Sequence, residues 1–347
     1  MISRAQKHSF SHHLLAFAAL LAAFAVLAAC SPRQGKAPHR NQTMPASAEV
    51  STSASLGPFE GHISALAFAP VNPVPWEGRL VIALSKGGLK VVDVEGHEDS
   101  SWSGAAMVAL AAVPDYSLRG LNVSLVVGID GAGAVRSFIV DDVRGQIIEA
   151  PVRGLPASGA SALCAKTGKG SAPQFLIGMA DKSVALWTIN DTGEATLAAS
   201  KGAAGTLAVP LGHCAYAGGE WVAMGAKGGL MTLSSTDKVR LLQGIESNPG
   251  DVKTLVSQGK RLVLVSDAAG GVLRVYNAKL KPLYNLSAPK ALSTPGAAVP
   301  GAMATSAHSF GGAGFSAGLL AVADDSTNRV ALIVLDTVPA SAGKPQS

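Results

Sequence analysis

Apolar and polar positions fall in blocks along this chain, and one order of blocks recurs six times. An apolar run is followed by a tight turn rich in Gly, Asp or Lys, and then by a second apolar run. The copies span 80–92, 125–140, 175–189, 221–233, 262–276 and 319–335, with turns at 85–88, 130–133, 181–183, 226–229, 267–271 and 324–328. Short apolar runs bounded by turn formers read as strands joined in hairpins. A further apolar strand precedes each hairpin, at 63–69, 107–113, 161–165, 213–217, 252–256 and 302–306. A fourth follows each except the last, at 100–103, 146–152, 196–200, 239–243 and 283–286. Four strands per unit, repeated every ~42 to 56 residues, is the signature of a β-propeller blade. The pattern predicts an all-β, six-bladed β-propeller of four-stranded antiparallel blades over 51–338. The sixth hairpin lacks a following strand. The segment 48–56 is its natural donor, closing the ring and removing open edges.

The N-terminus carries a different pattern. Arg4 and Lys7 precede an apolar stretch from Leu14 to Ala29 that ends in small residues, so 1–29 reads as a signal peptide. It closes with Leu27-Ala28-Ala29-Cys30, which resembles the bacterial lipobox, in which the cysteine is lipidated and becomes the mature N-terminus. By resemblance to lipoprotein sorting in two-membrane bacteria, Ser31 in place of Asp after the cysteine gives the outer membrane as the expected destination. Residues 30–50 read as a flexible lipidated tether, and 339–347 as a disordered tail. Membrane contact through Cys30 and a place in the cell envelope follow as expectations.

Charge narrows the partners. The net charge is +5, but bases and acids nearly balance from residue 51 onward. Nucleic-acid binding therefore has no electrostatic support. An envelope protein or a small-molecule ligand at the channel mouth is the expected partner. Cys164 and Cys214 lie in apolar contexts in different blades and read as two buried small hydrophobes, although an oxidising compartment permits a disulfide. No CxxC or Cys/His zinc spacing occurs.

Topology then places the polar residues. The turn between the second and third strands lies on the same face of the ring as the connection into the next blade. Lys86, Asp130, Asp181, Lys182, Lys227, Asp267, Asp324 and Asp325 are thus expected around one mouth of the central channel. His62, His213, Asp251 and Lys253, at the starts of the inner strands, join them. Asp, Lys and Gly are also ordinary turn formers, which gives each of these residues a purely structural reading. His62, His213 and Asp251 together allow a transition-metal site. The loop 307–316, with His308, falls on the opposite face. No G-x-S-x-G sits at a strand-to-helix turn, and Gly311-Gly312-Ala313-Gly314 lacks the context of a phosphate loop.

Several pieces in order resemble the β-propeller phytases, six-bladed calcium-dependent phosphatases. They are Ala69-Pro70-Val71-Asn72-Pro73 with 80–94, then 162–187 with Asp181-Lys182, then Gly212-His213-Cys214. Asp251 to Leu255 and 318–325 complete the set. The resemblance implies phosphate contacts at Lys86 and Lys182, with Asp251, Asp267 and Asp324 as remaining calcium ligands. The family's acidic clusters are mostly replaced here: His62-Ile63-Ser64-Ala65, Gly212, Lys253, Ala298 and Pro300 stand where carboxylates are expected. Each Ca²⁺ requires about six to eight oxygen ligands, more than the surviving carboxylates supply. The expected function is therefore a lipid-anchored, non-catalytic binding or scaffold module. The alternative is a calcium-dependent phosphatase acting on phytate or another phosphomonoester. Lys86, Lys182, Lys227, His62 and His213 are the candidate ligand-binding residues, and Ca²⁺ is the implied cofactor only under the alternative.

Overall fold

The hairpin strands lack polar–apolar alternation because both of their faces are covered. Every residue of Arg79–Leu84 and of Leu319–Asp324 is buried. A strand of that kind has to lie between two other sheets. The computed structural model, which describes residues 44–166, 172–312 and 314–341, shows how this is met. Six antiparallel sheets form a six-bladed β-propeller. Blade one is Ile63–Ala69, Arg79–Leu84, Leu89–Asp93 and Glu98–Trp102. Blade two is Met107–Leu118, Leu121–Asp130, Val135–Asp141 and Ile147–Glu149. Blade three is Ala160–Lys166, Gln174–Met179, Ser183–Asn190 and Leu197–Thr206. Blade four is Leu211–Ala217, Glu220–Gly225, Leu230–Ser234 and Arg240–Ile245. Blade five is Val252–Ser257, Lys260–Asp267, Val272–Asn277 and Pro282–Ser287. Blade six is Pro300–Ser306, Leu319–Asp324 and Arg329–Val334, and its outer strand is Ala54–Leu56 from the N-terminal side.

The period-two geometry of a strand divides the core into six layers, one between each pair of neighbouring blades. Along Arg79–Leu84, Leu80, Ile82 and Leu84 pack with blade six, while Val81 and Ala83 pack with blade two. Among the outer strands, Arg240–Ile245 is almost wholly exposed, whereas Pro282–Ser287 buries Tyr284 and Leu286.

The ring closes as the missing sixth strand predicts: Leu56 pairs with Val330 and Ala54 with Leu332. Two short strands add to this plan. Ser47–Glu49 lies parallel to the outer strand of blade five, and Val152–Arg153 lies parallel to that of blade three. The first corrects the expected tether boundary. Ordered chain begins before residue 50, because backbone pairing and burial of Val50 hold this segment. At the other end, Val338 and Ala340 are buried, and the backbone oxygens of Val338 and Pro339 accept hydrogen bonds from Ser257 and Tyr284. Docking against blade five thus carries the fold past residue 338 into the expected tail.

Candidate functional site

The inner strands of five blades share an irregularity at one end. Register shifts occur between Ile63 and Ala65, Met107 and Ala109, Ala160 and Ala162, Leu211 and His213, and Pro300 and Met303. An extra residue on one strand bends it and re-aims side chains. Here the bulges of blades one, two, four and six border a cavity of about 210 Å³ at the channel mouth, lined by His62, His213, Asp251, Lys253 and small residues including Gly212, Gly250 and Gly301. Blade five has a regular inner strand and places Asp251 at that level instead.

Asp251 is buried, and its carboxylate joins three blades. Its Oδ1 accepts from Val252 N (2.8 Å) and Lys253 Nζ (2.7 Å), and lies 3.3 Å from His213 Nδ1 on blade four. Its Oδ2 accepts from Met303 N on blade six at 2.7 Å. Burial works to raise its pKa, but the Lys253 ammonium and the His213 imidazole outweigh it and hold the carboxyl well below its ordinary value. Hydroxyls continue the stitching between blades: Thr254 Oγ1 donates to Tyr216 O at 3.2 Å, and Thr305 Oγ1 to Thr254 O at 3.0 Å. Across the mouth, His62 Nδ1 lies 3.6 Å from Asp325 Oδ1.

The aspartates of the hairpin turns have local work. Asp267 Oδ1 accepts from Gly270 N (3.1 Å), and its Oδ2 pairs with the Arg274 guanidinium. Asp324 Oδ1 accepts from Val299 N (3.0 Å) and Ser326 Oγ (2.8 Å), and its Oδ2 from Thr327 Oγ1 (2.6 Å). Burial opposes ionisation of Asp324, but the Thr327, Val299 and Ser326 donors keep its pKa below the usual range. Asp130 accepts from Ala132 N and Ala134 N and pairs with Arg136. These are turn-stabilising roles. Neither Asp267 nor Asp324 lines the mouth cavity with Asp251. Among the described residues, the one group of three candidate metal ligands is Asp93, Glu95 and His97, in an outer turn of blade one.

Lys86, Lys182 and Lys227 stand exposed in their turns and do not line the cavity. Lys182 adopts a φ of 75°, a left-handed conformation uncommon for a side-chain-bearing residue. His62 and His213 do line it, each about half exposed. Cys30 lies outside the described residues.

Beyond a waist shared by Leu66, Leu110, Leu163, Cys214 and Lys253, the channel opens into a second cavity of about 370 Å³. His308 lies there, as the topology predicts, with its Nδ1 3.3 Å from Ser306 Oγ and its Nε2 3.9 Å from Asp115 Oδ2. Cys164 and Cys214 also line it and form a disulfide, which corrects their reading as separate buried hydrophobes. They lie in different blades, yet both sit on inner strands, where neighbouring blades converge on the axis; their Cα atoms are 5.6 Å apart. Setting the repeats in register puts Leu163-Cys164-Ala165 beside His213-Cys214-Ala215, the sequence signal for this bond. The pairing of His62 with Asp325 and the contact of Asp251 with Met303 N had no such signal, because both depend on contacts between blades.

No family model matches the chain, and no curated protein matches it. Solved structures that resemble it include Raptor of Chaetomium thermophilum, at 12% identity and a TM-score of 0.49, covering 82% of this chain and 29% of that one. A chain of the crystal structure of BBS1N in complex with ARL6DN, soaked with lead, matches at 12% identity and a TM-score of 0.51, covering 85% of this chain and 98% of that one. This chain thus spans under a third of the Raptor chain's length. At this identity the second likeness shows the propeller fold alone.

Proposed function

We infer that this propeller is a non-catalytic binding module that takes a small ligand at the mouth bearing His62 and His213. The observation that carries the reading is the engagement of the acidic residues. Asp251 accepts from backbone, lysine and histidine donors, Asp267 is held by Gly270 N and the Arg274 guanidinium, and Asp324 by Val299 N, Ser326 and Thr327. Hard cations need several unengaged oxygens. The half-exposed groups left at the mouth are imidazoles, which suit ligand recognition. The ring fits descent from a phytase-like scaffold whose calcium cluster was replaced. Attachment to a bacterial envelope through Cys30 is part of the proposal and rests on Leu27-Ala28-Ala29-Cys30.

The test is phosphate release from phytate and from simple phosphomonoesters, with and without millimolar Ca²⁺, followed alongside thermal melting. The expected result is no turnover and no calcium-dependent shift of the melt. Calcium-dependent turnover would overturn the reading in favour of the phosphatase. Anchoring is read separately, by incorporation of labelled palmitate into the full chain and its loss in Cys30→Ser.

A further inference from the structure

His62 belongs to blade one and His213 to blade four, which stand on opposite sides of a six-bladed ring. Both line the same cavity. Each turns Nδ1 toward a carboxylate, Asp325 at 3.6 Å for His62 and Asp251 at 3.3 Å for His213. Asp251 is held ionised and only accepts, so the His213 nitrogen facing it carries the hydrogen; Asp325 Oδ1 is buried without a hydrogen-bond partner, and burial raises the pKa of its carboxyl. Nε2 lies on the other side of each ring. Protonation, which for histidine falls within about pH 5 to 8, turns Nε2 from an acceptor into a charged donor.

The other charges around the two rings decide what they can hold. His213 faces Asp251 and Lys253; His62 faces Asp325, with Asp324 beside it and Lys86 in the adjoining turn. Both oxygens of Asp251 are already engaged, while Lys253 adds positive charge at the cavity wall. On the His213 wall a divalent cation thus meets an ammonium and no unengaged Asp251 oxygen. An anion meets donors on two opposite walls. The cavity, at about 210 Å³, is smaller than the roughly 300 Å³ at which drug-sized sites begin.

We propose that the mouth binds a small organic dianion with separated carboxylate ends, one end held by the His62 imidazolium and the other by that of His213. Two separated carboxylate ends match two imidazoles carried by opposite blades on one cavity. This deepens the binding-module reading and rests on it.

The test is calorimetric titration of residues 41–347, which hold all six sheets, with succinate, acetate, inorganic phosphate and Zn²⁺ as separate probes. At about pH 5.5, succinate is expected to bind at least about tenfold more tightly than acetate or phosphate, and to weaken at least about tenfold by about pH 8. His62→Gln and His213→Gln should each bring succinate down to the acetate level. His213→Lys should keep succinate binding at the higher pH. Succinate binding that ignores pH or both glutamine variants overturns the proposal, as does binding of phosphate or Zn²⁺ in place of succinate. Phosphate release on the same preparation is read independently. Turnover there overturns the binding-module reading, whereas silence in both assays overturns the dianion alone.

Discussion

Breaking the bond between Cys164 and Cys214 tests the inter-blade architecture most directly. The two cysteines are 50 residues apart and join the inner strands of blades three and four. Closing a loop of that length removes about 14 cal/mol/K of unfolded-chain entropy, or about 4 kcal/mol at 25 °C. Spread over ~300 ordered residues at ~2.1 cal/mol/K each, this corresponds to a fall of about 6 °C in Tm. The informative variant is the double change of Cys164 and Cys214 to alanine, because serine would add a hydroxyl to an apolar layer. Scanning calorimetry of the parent with and without a phosphine reductant is then compared with the double variant, which should match the reduced parent and ignore reductant. Thiol titration in denaturant checks the bond itself: the oxidised parent should show neither Cys164 nor Cys214 as a free thiol. Both cysteines titrating would refute the bond. A closed bond whose reduction moves Tm by less than about 1 °C would refute the loop-entropy reasoning.

Other expectations follow from single residues. Asp142 is buried with its Oδ2 unpartnered, and burial, reinforced by Asp115 and opposed by Arg79, raises its pKa to about 6. That folded value lies above the unfolded one of about 3.9, so the contribution of this group to stability is full below about pH 3.9 and is lost as pH rises from there through about 6. Asp142→Asn should remove the decline and be the more stable protein at about pH 8, by up to ~3 kcal/mol in denaturant titration; a less stable variant would refute the assignment. Asp251 has the opposite sign. Its depressed folded pKa supplies stability that is present above about pH 4 and lost as pH falls toward the folded value. Asp251→Ala leaves Lys253 without its partner and should cost about 3–5 kcal/mol at neutral pH; a loss within about 0.5 kcal/mol would remove the three-blade clasp. Deleting residues 44–57 uncovers the outer edge of Arg329–Val334 and should abolish a single cooperative melt. An unchanged calorimetric transition would refute that. Lys86→Ala and Lys182→Ala, both in exposed turns, should stay within about 0.5 kcal/mol of the parent in the same titrations.

The ring was legible because its signal is local. Apolar runs such as 80–84 are buried on both faces, and the missing sixth strand announced a donor on the N-terminal side. The parallel strands Ser47–Glu49 and Val152–Arg153 were not legible, since two or three residues at a sheet edge carry no periodic pattern. The mouth was half legible. Topology brought His62, His213, Asp251 and Lys253 to one cavity, as the inner-strand starts implied. It could not tell a carboxylate open to a ligand from one held by Met303 N of the next blade, because that contact links residues 52 apart.

The difference between these two kinds of carboxylate bears on why the turns look functional. Asp130, Asp181, Asp267 and Asp324 each fold a side-chain oxygen back onto donors two to four residues ahead. An aspartate at such a turn is selected by the turn geometry whether or not the face above it binds anything. The same residue type at the same blade position therefore carries little functional information in a propeller. Asp251 and Asp325 differ because their partners lie on other blades: His213 and Met303 for the first, His62 for the second. A contact of that kind fixes where neighbouring blades sit around the axis. It also orients an imidazole at the cavity. His62 and Lys253 each stand beside a carboxylate, Asp325 and Asp251 respectively. Stability and recognition at this mouth then depend on the same few ion pairs, but pH moves them in different windows: the Asp251 contribution to stability is lost on acidification below about pH 4, whereas ligand binding is expected to weaken as pH rises toward about 8.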